Sequence, residues 1–146
     1  MAKGYPDFYG FSIFPKYGSV MIDDFPSAAV GPGATVAIHE VFGNGRIYGG
    51  HLYCTAFADW SDIYVRVFID GVQMNVHNTV AQMFAQYGHV DVEWPLQLVN
   101  YRGDGGHAVF AIEKDFTFTD TYRIEIANSA AINLFVYSRL HYSLIV

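Results

Sequence analysis

The feature that most constrains this fold is a succession of short segments in which every second side chain suits a buried face. Residues 63–69 place β-branched apolar side chains at every second position, and residues 122–126 alternate apolar with charged side chains. The dipeptide Asp70-Gly71, which follows the first segment, is a strong signal for a tight hairpin. A period of two predicts half-buried β-strands joined by turns.

Eight or nine strands of this kind are predicted along the chain. They occupy residues 19–24, 35–42, 46–57, 63–69, 72–76, 90–99, 107–113, 122–128 and 132–146. Residues 27–33 are rich in Gly, Pro and Ala and are predicted to form a loop. Residues 133–137 are almost continuously apolar, which predicts a last strand buried on both faces, either centrally in the fold or beneath a neighbouring subunit.

One short helix is predicted between the strands. Asn78 or Thr79 can cap its start, apolar residues recur at helical spacing from Val80 to Tyr87, and Gly88 can end it. Many short strands with one inserted helix are typical of an all-β fold. We expect a jelly-roll β-sandwich of eight to nine antiparallel strands, with an up-and-down barrel of the lipocalin type as the alternative.

The first 18 residues have a different composition from the rest. Glycines and prolines interrupt any helix there, yet the segment contains six aromatic residues: Tyr5, Phe8, Tyr9, Phe11, Phe14 and Tyr17. A disordered tail would be polar. We therefore predict an extended N-terminal arm over residues 1–18, ordered against its own domain or a neighbouring copy, followed by a single β-sandwich domain over residues 19–146.

Composition argues against several classes of partner. The net charge is −6, whereas phosphate binding needs a basic surface, so no direct contact with nucleic acid is expected. No window approaches 18 consecutive apolar residues, so no membrane span is expected, and the first residues lack the apolar core of a secretory signal. We expect synthesis in a cytoplasm. The single cysteine, Cys54, lies in an apolar run and is predicted to be a buried, inert thiol.

No pattern in the sequence indicates an enzyme, a cofactor or a metal site. The six histidines form no close ligand pair, and most are expected to be structural or on the surface. A cupin-type metal site is the alternative, in which distant strands bring His51, His107 and His141 together. No serine has the context of a hydrolase nucleophile elbow.

Trp60 and Trp94 are the candidate contacts for a ligand or partner outside the arm. Trp60 is expected to be exposed in a loop, and Trp94 precedes a proline that interrupts its strand. Exposed aromatic rings bind sugars, so a carbohydrate-binding module or lectin is one alternative function. Aromatic residues are also the main anchors of protein interfaces, and their concentration in the arm favours assembly.

Three parts of the chain resemble small jelly-roll structural proteins of tailed phages and other viruses. They are the aromatic arm with Tyr5-Pro6-Asp7-Phe8-Tyr9-Gly10, the hairpin unit Val67-Phe68-Ile69-Asp70-Gly71-Val72, and the closing segment from Asp115 to Leu144. The resemblance implies an auxiliary or decoration capsid protein, or a fibre-base protein, acting in the virion as a homotrimer. Its implied partners are other copies of itself and a major capsid or other virion protein. An extracellular filament or tube is a further alternative.

Overall fold

The computed structural model describes residues 16–55, 60–75, 79–87, 95–102 and 106–146. Within them the chain forms ten strands, one helix and a 3-10 turn over Trp60–Asp62. The strands are β1 (Met21–Val30), β2 (Thr35–Phe42), β3 (Gly45–Thr55), β4 (Ile63–Ile69), β5 (Val72–Gln73), β6 (Leu96–Tyr101), β7 (His107–Ile112), β8 (Phe116–Phe118), β9 (Thr121–Asn128) and β10 (Leu134–Leu144). The helix is α1 (Val80–Tyr87).

The strands form two antiparallel sheets. The first sheet has the order β1-β10-β3-β7-β6, with β8 paired to β3, and the second has the order β2-β9-β4-β5. The predicted all-β sandwich is therefore confirmed, with ten strands in place of eight or nine. The barrel alternative is wrong, because the described strands form two separate sheets.

The core lies between the two sheets and is built by the predicted alternation. Ile63, Val65 and Val67 of β4 are fully buried, as are Leu52 of β3 and Phe110 of β7. Each such side chain stabilises the fold by roughly 1.5–3 kcal/mol. Cys54 is also fully buried, as predicted, and burial raises the pKa of its thiol to about 12.

The predicted helix is confirmed, and its start is fixed by a reciprocal cap. The backbone N–H of Gln82 donates to Thr79 Oγ1 at 3.1 Å, while the N–H of Thr79 donates to Gln82 Oε1 at 3.3 Å. This is a capping box, which satisfies two N–H groups that a helix start otherwise leaves unpaired. Val80 and Met83 are the buried side of the helix.

The loop predicted over residues 27–33 is mostly wrong, because β1 continues to Val30. Pro26 cannot donate a ladder hydrogen bond, and the register with β10 shifts between Phe25 and Ala28. An edge strand tolerates such a bulge, so the strand resumes after it. The short strand β8 was not predicted; it pairs with the first residues of β3.

The last strand is central, which is one of the two predicted arrangements, but within the described chain it is not buried on both faces. β10 lies between β1 and β3. Its inward residues Leu134, Val136 and Leu140 are buried, whereas Phe135 is 47% exposed on the other side. The apolar run therefore serves the core with alternate residues and places the rest on the outside of the first sheet.

Candidate interaction surface

The outward side of the first sheet carries a group of ring side chains from three adjacent strands. Strand alternation turns every second residue of β10, β3 and β7 away from the core. We call this group the outer aromatic face: His51, Tyr53, His107, Phe135 and Tyr137. Tyr53 is 38% exposed and Phe135 is 47% exposed, so these rings are not sealed within the described chain.

The strand register brings the rings of this face together. Tyr53 of β3 lies directly opposite Tyr137 of β10. The rings of His51 and Tyr137 have centroids 5.5 Å apart, and those of Tyr53 and His107 are stacked at 6.1 Å. His107 Nε2 also lies 2.7 Å from Asn100 Oδ1 on β6. The rings thus form one strip that crosses three strands.

An ion pair lies beside this strip, and its two charges cancel. Arg139 of β10 donates from Nε and Nη2 to the two carboxylate oxygens of Asp24 on β1, at 2.7 and 2.9 Å. The hydrogen bond from Arg139 holds the pKa of Asp24 below its usual value, against an opposing effect of desolvation. A fork-to-fork pair of this kind fixes both side chains without adding net charge to the face.

Exposed apolar residues also lie at the edge of the first sheet, beyond the Asp24–Arg139 pair. β1 is the edge strand, and Ile22 pairs with His141 of β10. Val20 and Ile22 are each 58% exposed, and Met21 between them is 38% exposed. Edge strands present backbone groups that another strand can pair with, and contiguous apolar surface marks interaction sites.

The root of the predicted arm lies at this same edge. Tyr17 forms an antiparallel bridge with Ile145, Gly18 N–H donates to the Leu144 carbonyl at 2.7 Å, and Val146 N–H donates to the Lys16 carbonyl at 2.9 Å. Residues 16–18 therefore extend the line of β1 along the end of β10, and Tyr17 is half-buried. The other five predicted arm residues, Tyr5, Phe8, Tyr9, Phe11 and Phe14, lie outside the described residues.

The expectation that Trp60 is exposed is wrong. Its side chain is 1% exposed, its indole Nε1–H donates to the Arg102 carbonyl at 3.0 Å, and its ring meets that of Tyr101 edge-on at 6.3 Å. The aspartates around it suggested a surface loop, but a 3-10 turn directs the ring into the core. Trp94 lies outside the described residues.

His51, His107 and His141 do lie on the same side of the first sheet, but they do not make a metal site. In the part of the chain that the structure describes, no group of three or more His, Cys, Asp or Glu residues is placed to hold a metal ion. His51 and His107 instead contact tyrosine rings. Across the same residues, no helix has the length and apolar character needed to cross a membrane.

The structure also groups three residues that sequence reasoning did not connect. His39 Nδ1 lies 2.6 Å from Asp23 Oδ2, and His39 Nε2 lies 2.7 Å from Ser138 Oγ. Ser138 Oγ also donates to the His51 carbonyl at 2.8 Å. These are the residue types of a hydrolase triad, but Ser138 is fully buried and His39 is 1% exposed. The hydroxyl cannot reach a substrate there, so the group is structural.

The sequence contains a weak signal for this buried group. Ser138 occupies an inward position between Val136 and Leu140, and His39 is next to the buried Ile38. Polar residues at core positions need partners, but the identity of those partners depends on how two distant strands meet.

No protein-family model matches this chain, and no curated protein matches it. Among solved structures, it is similar to a chain of the capsid asymmetric unit of cyanophage Pam1. That likeness has 16% sequence identity and a TM-score of 0.48, and it covers 99% of this chain and 91% of the other. A likeness at that score carries no functional conclusion.

Proposed function

We propose that this chain is a non-enzymatic structural subunit of a virus particle, which decorates or cements the capsid or seats a fibre as a homotrimer. The observation that carries the proposal is the unsealed outer aromatic face, which shares its sheet with the exposed apolar edge of β1 and the root of the arm. A chain with such a surface gains by burying it against other chains. The sequence resemblance to small viral jelly-roll proteins supplies the class of particle.

The strand order supports the jelly-roll assignment. Along the chain, β1, β3, β7 and β10 belong to the first sheet, together with the additional strands β6 and β8, while β2, β4, β5 and β9 belong to the second. The chain therefore crosses repeatedly between the sheets, and its last strand returns beside its first. Eight strands arranged as two interleaved Greek keys have this connectivity.

Attachment would proceed by burial of rings at two places. The first is the outer aromatic face, where the rings of Phe135 and Tyr53 are exposed. The second is the arm, whose residues precede the hydrogen-bonded anchor at 16–18. Each large apolar side chain that becomes fully buried contributes roughly 1.5–3 kcal/mol, and several weak contacts per particle reinforce one another through multivalency. The partners are other copies of the chain and a major capsid or other virion protein.

Sedimentation of the full chain tests self-assembly. We expect a trimer that Phe135→Ser weakens, because this change removes an exposed ring from the outer aromatic face. Val72→Ser is the matched control, since Val72 is 62% exposed on β5 of the other sheet. A wild-type monomer at all concentrations contradicts the trimer, and equal effects of the two substitutions contradict the location of the interface. Electron microscopy of the same sample distinguishes a closed trimer from a filament.

Binding to particles of the virus that encodes the chain tests the virion role. We expect wild-type protein to saturate those particles and a variant lacking residues 2–15 to fail, with an unchanged circular dichroism spectrum. Saturation by the shortened protein contradicts the role of the arm. A glycan array tests the carbohydrate alternative, which the burial of Trp60 has already weakened.

A further inference from the structure

A second-sheet histidine is held from two sides by the first sheet. Asp23 of β1 and Ser138 of β10 both contact His39 of β2. The register of β2 against β9 shifts between Ala37 and His39, so two consecutive residues, Ile38 and His39, are both buried. This bulge turns the imidazole into the space between the sheets. The backbone thus departs from regular pairing at the position where the contact is made.

The hydrogen atoms of this group can be counted. Three contacts join Asp23 to Nδ1, Nε2 to Ser138 Oγ, and Ser138 Oγ to the His51 carbonyl, at 2.6, 2.7 and 2.8 Å. Each needs one hydrogen. A neutral imidazole and one hydroxyl supply two. Nδ1–H then donates to the Asp23 carboxylate, and the Ser138 hydroxyl must choose between Nε2 and the carbonyl.

Protonation of the imidazole supplies the missing hydrogen. Nδ1–H still donates to Asp23, Nε2–H donates to Ser138 Oγ, and the Ser138 hydroxyl donates to the His51 carbonyl. All three contacts are then hydrogen bonds at the same heavy-atom positions. We propose that Asp23, His39 and Ser138 form an inter-sheet clamp that takes up one proton without losing a hydrogen bond, so that the sandwich stays closed on acidification.

The surrounding charges support Asp23 as the counter-charge. Its side chain is 43% exposed, so its carboxylate stays partly hydrated while it contacts the buried ring. On β1, Asp24 acts on His39 from further away. On β10, Arg139 and His141 occupy positions that alternate to the outer side of the sheet.

The charged side chains on β2 and β9 face away from His39, and the inward phenol of Tyr122 on β9 is fully buried, which raises its pKa and keeps it neutral. On β9, the residue opposite His39 is the buried Ile124. Arg123 and Glu125 flank it and point to the opposite face of their sheet, as does Glu40 on β2 itself. Asp23 is therefore the charge in direct contact with the imidazole.

Burial lowers the pKa of His39 below its ordinary value of 6.5, and the hydrogen bond with Asp23 acts in the opposite direction. The folded chain therefore binds this proton less tightly than the unfolded chain does, and stability falls as the pH drops below 6.5. The clamp limits this loss, because Asp23 offsets part of the cost of burying the charge.

Nitrogen NMR of His39 in the full wild-type chain is the first test. We expect neutral imidazole with the hydrogen on Nδ1 at pH 8, and both nitrogens protonated at low pH while the chain remains folded. A neutral form with the hydrogen on Nε2, or unfolding that coincides with protonation of His39, overturns the clamp. This measurement needs no variant.

Asp23→Asn is the second test, since the amide oxygen still accepts from Nδ1–H but carries no charge. We expect the pKa of His39 to fall by about one unit, which is about tenfold weaker proton binding, and acid unfolding to begin at higher pH. Asp24→Asn is the matched control on the adjacent residue, for which we expect less than a third of that shift. Equal shifts in the two variants, or none in Asp23→Asn, overturn the proposal.

Discussion

The outward sides of the two sheets both carry aromatic rings, but on the second sheet arginines cover two of these rings. The guanidinium of Arg66 lies 4.9 Å from the ring centroid of Tyr64, and that of Arg123 lies 4.4 Å from the ring centroid of Phe68. Both arginines reach Glu125, at 3.3 and 3.4 Å. Cation–π contacts and shared ion pairs hold these charged covers in place.

The first sheet has Arg46 5.6 Å from the ring centroid of Tyr48, but the rings of its outer aromatic face stay open. His51 and His107 stand beside Tyr137 and Tyr53, and Phe135 remains 47% exposed. Its arginine on β10, Arg139, pairs with Asp24. On the second sheet arginines cover Tyr64 and Phe68, while Phe42 at the edge strand β2 stays 66% exposed. The outer aromatic face gathers uncovered rings from three strands, so it is the side on which to look for a partner.

The largest loss of stability should come from separating β3 and β10, two of the strands that carry the outer aromatic face. A Cβ atom at Gly50 of β3 would overlap with the carbonyl oxygen of Arg139 on β10. The strands can relieve the overlap only by moving apart, so Gly50→Ala should lower the free energy of unfolding by about 3 kcal/mol or more. The register that places Tyr53 beside Tyr137 should be lost with it. Urea unfolding measures the first effect and sedimentation the second.

Gly71→Ala is the matched control on the second sheet. Gly71 has φ +83 in the β4–β5 turn, and nothing lies within 4 Å of the added carbon. The substitution should cost about 1–2 kcal/mol from the left-handed backbone alone, and self-assembly should persist. If Gly50→Ala is no more harmful than Gly71→Ala, close packing of β3 against β10 does not maintain the open face.

Local patterns predicted the strands and helix well, because period and capping are local properties. The segment at 63–69, the Asp70-Gly71 hairpin and the helix at Val80–Tyr87 all lie where the sequence placed them. The exposure of Phe135 and the burial of Trp60 were not predictable in this way. Both depend on which element lies across from the residue. The apolar run at 133–137 predicted that Phe135 is buried, and the aspartates beside Trp60 predicted that its ring is exposed.

The sequence predicted that the chain has a surface for assembly, but not which strand residues form it. The concentration of aromatic residues in the arm predicted surface for assembly, yet the rings that the structure gathers on the first sheet come from three strands separated along the chain. The pairing of Tyr53 with Tyr137 follows from β10 returning beside β3. Similarly, His39 turns toward Ser138 because of a bulge in β2 that the local sequence does not indicate.

A smaller loss of stability should follow from releasing the arginines that cover rings on the second sheet. Glu125→Gln removes the charge that both Arg66 and Arg123 contact, and the Glu125 side chain is only 15% exposed. Arg66 and Arg123 would then lose their shared, mostly buried carboxylate, so we expect a loss of about 1–2 kcal/mol in the free energy of unfolding. We also expect increased binding of a hydrophobic dye as Phe68 becomes uncovered.

Asp24→Asn provides the comparison on the first sheet, where the exposed carboxylate has one arginine partner. Its effect on the free energy of unfolding should be smaller than that of Glu125→Gln, and dye binding should not change, because no ring is uncovered. A larger loss for Asp24→Asn would mean that the open face depends on its ion pair more than the sealed face does. The ion pair of the first sheet would then contribute more to stability than that of the second, contrary to the proposed difference.

The smallest effect concerns a turn carboxylate at one end of the second sheet. Asp70 Oδ1 accepts from the backbone N–H of Asp120 at 2.7 Å, of Thr119 at 3.0 Å and of Thr121 at 3.1 Å. Burial acts to raise the pKa of Asp70, but these donors lower it overall. Since the folded pKa is depressed, the stabilisation is present above the ordinary value of 3.8 and is lost as the pH falls through the folded pKa.

Asp70→Asn should therefore lower the melting temperature slightly at pH 7, and the difference should disappear in acid below the folded pKa. Asn tolerates the positive φ of 52° at this position, so the backbone cost is small. Thermal melts from pH 7 to pH 2 measure the effect. Added salt should weaken the contribution of the Asp24–Arg139 pair but not that of Asp70, whose donors are backbone groups in direct contact. A difference that persists at pH 2 would show that the turn depends on shape and not on the charge of Asp70.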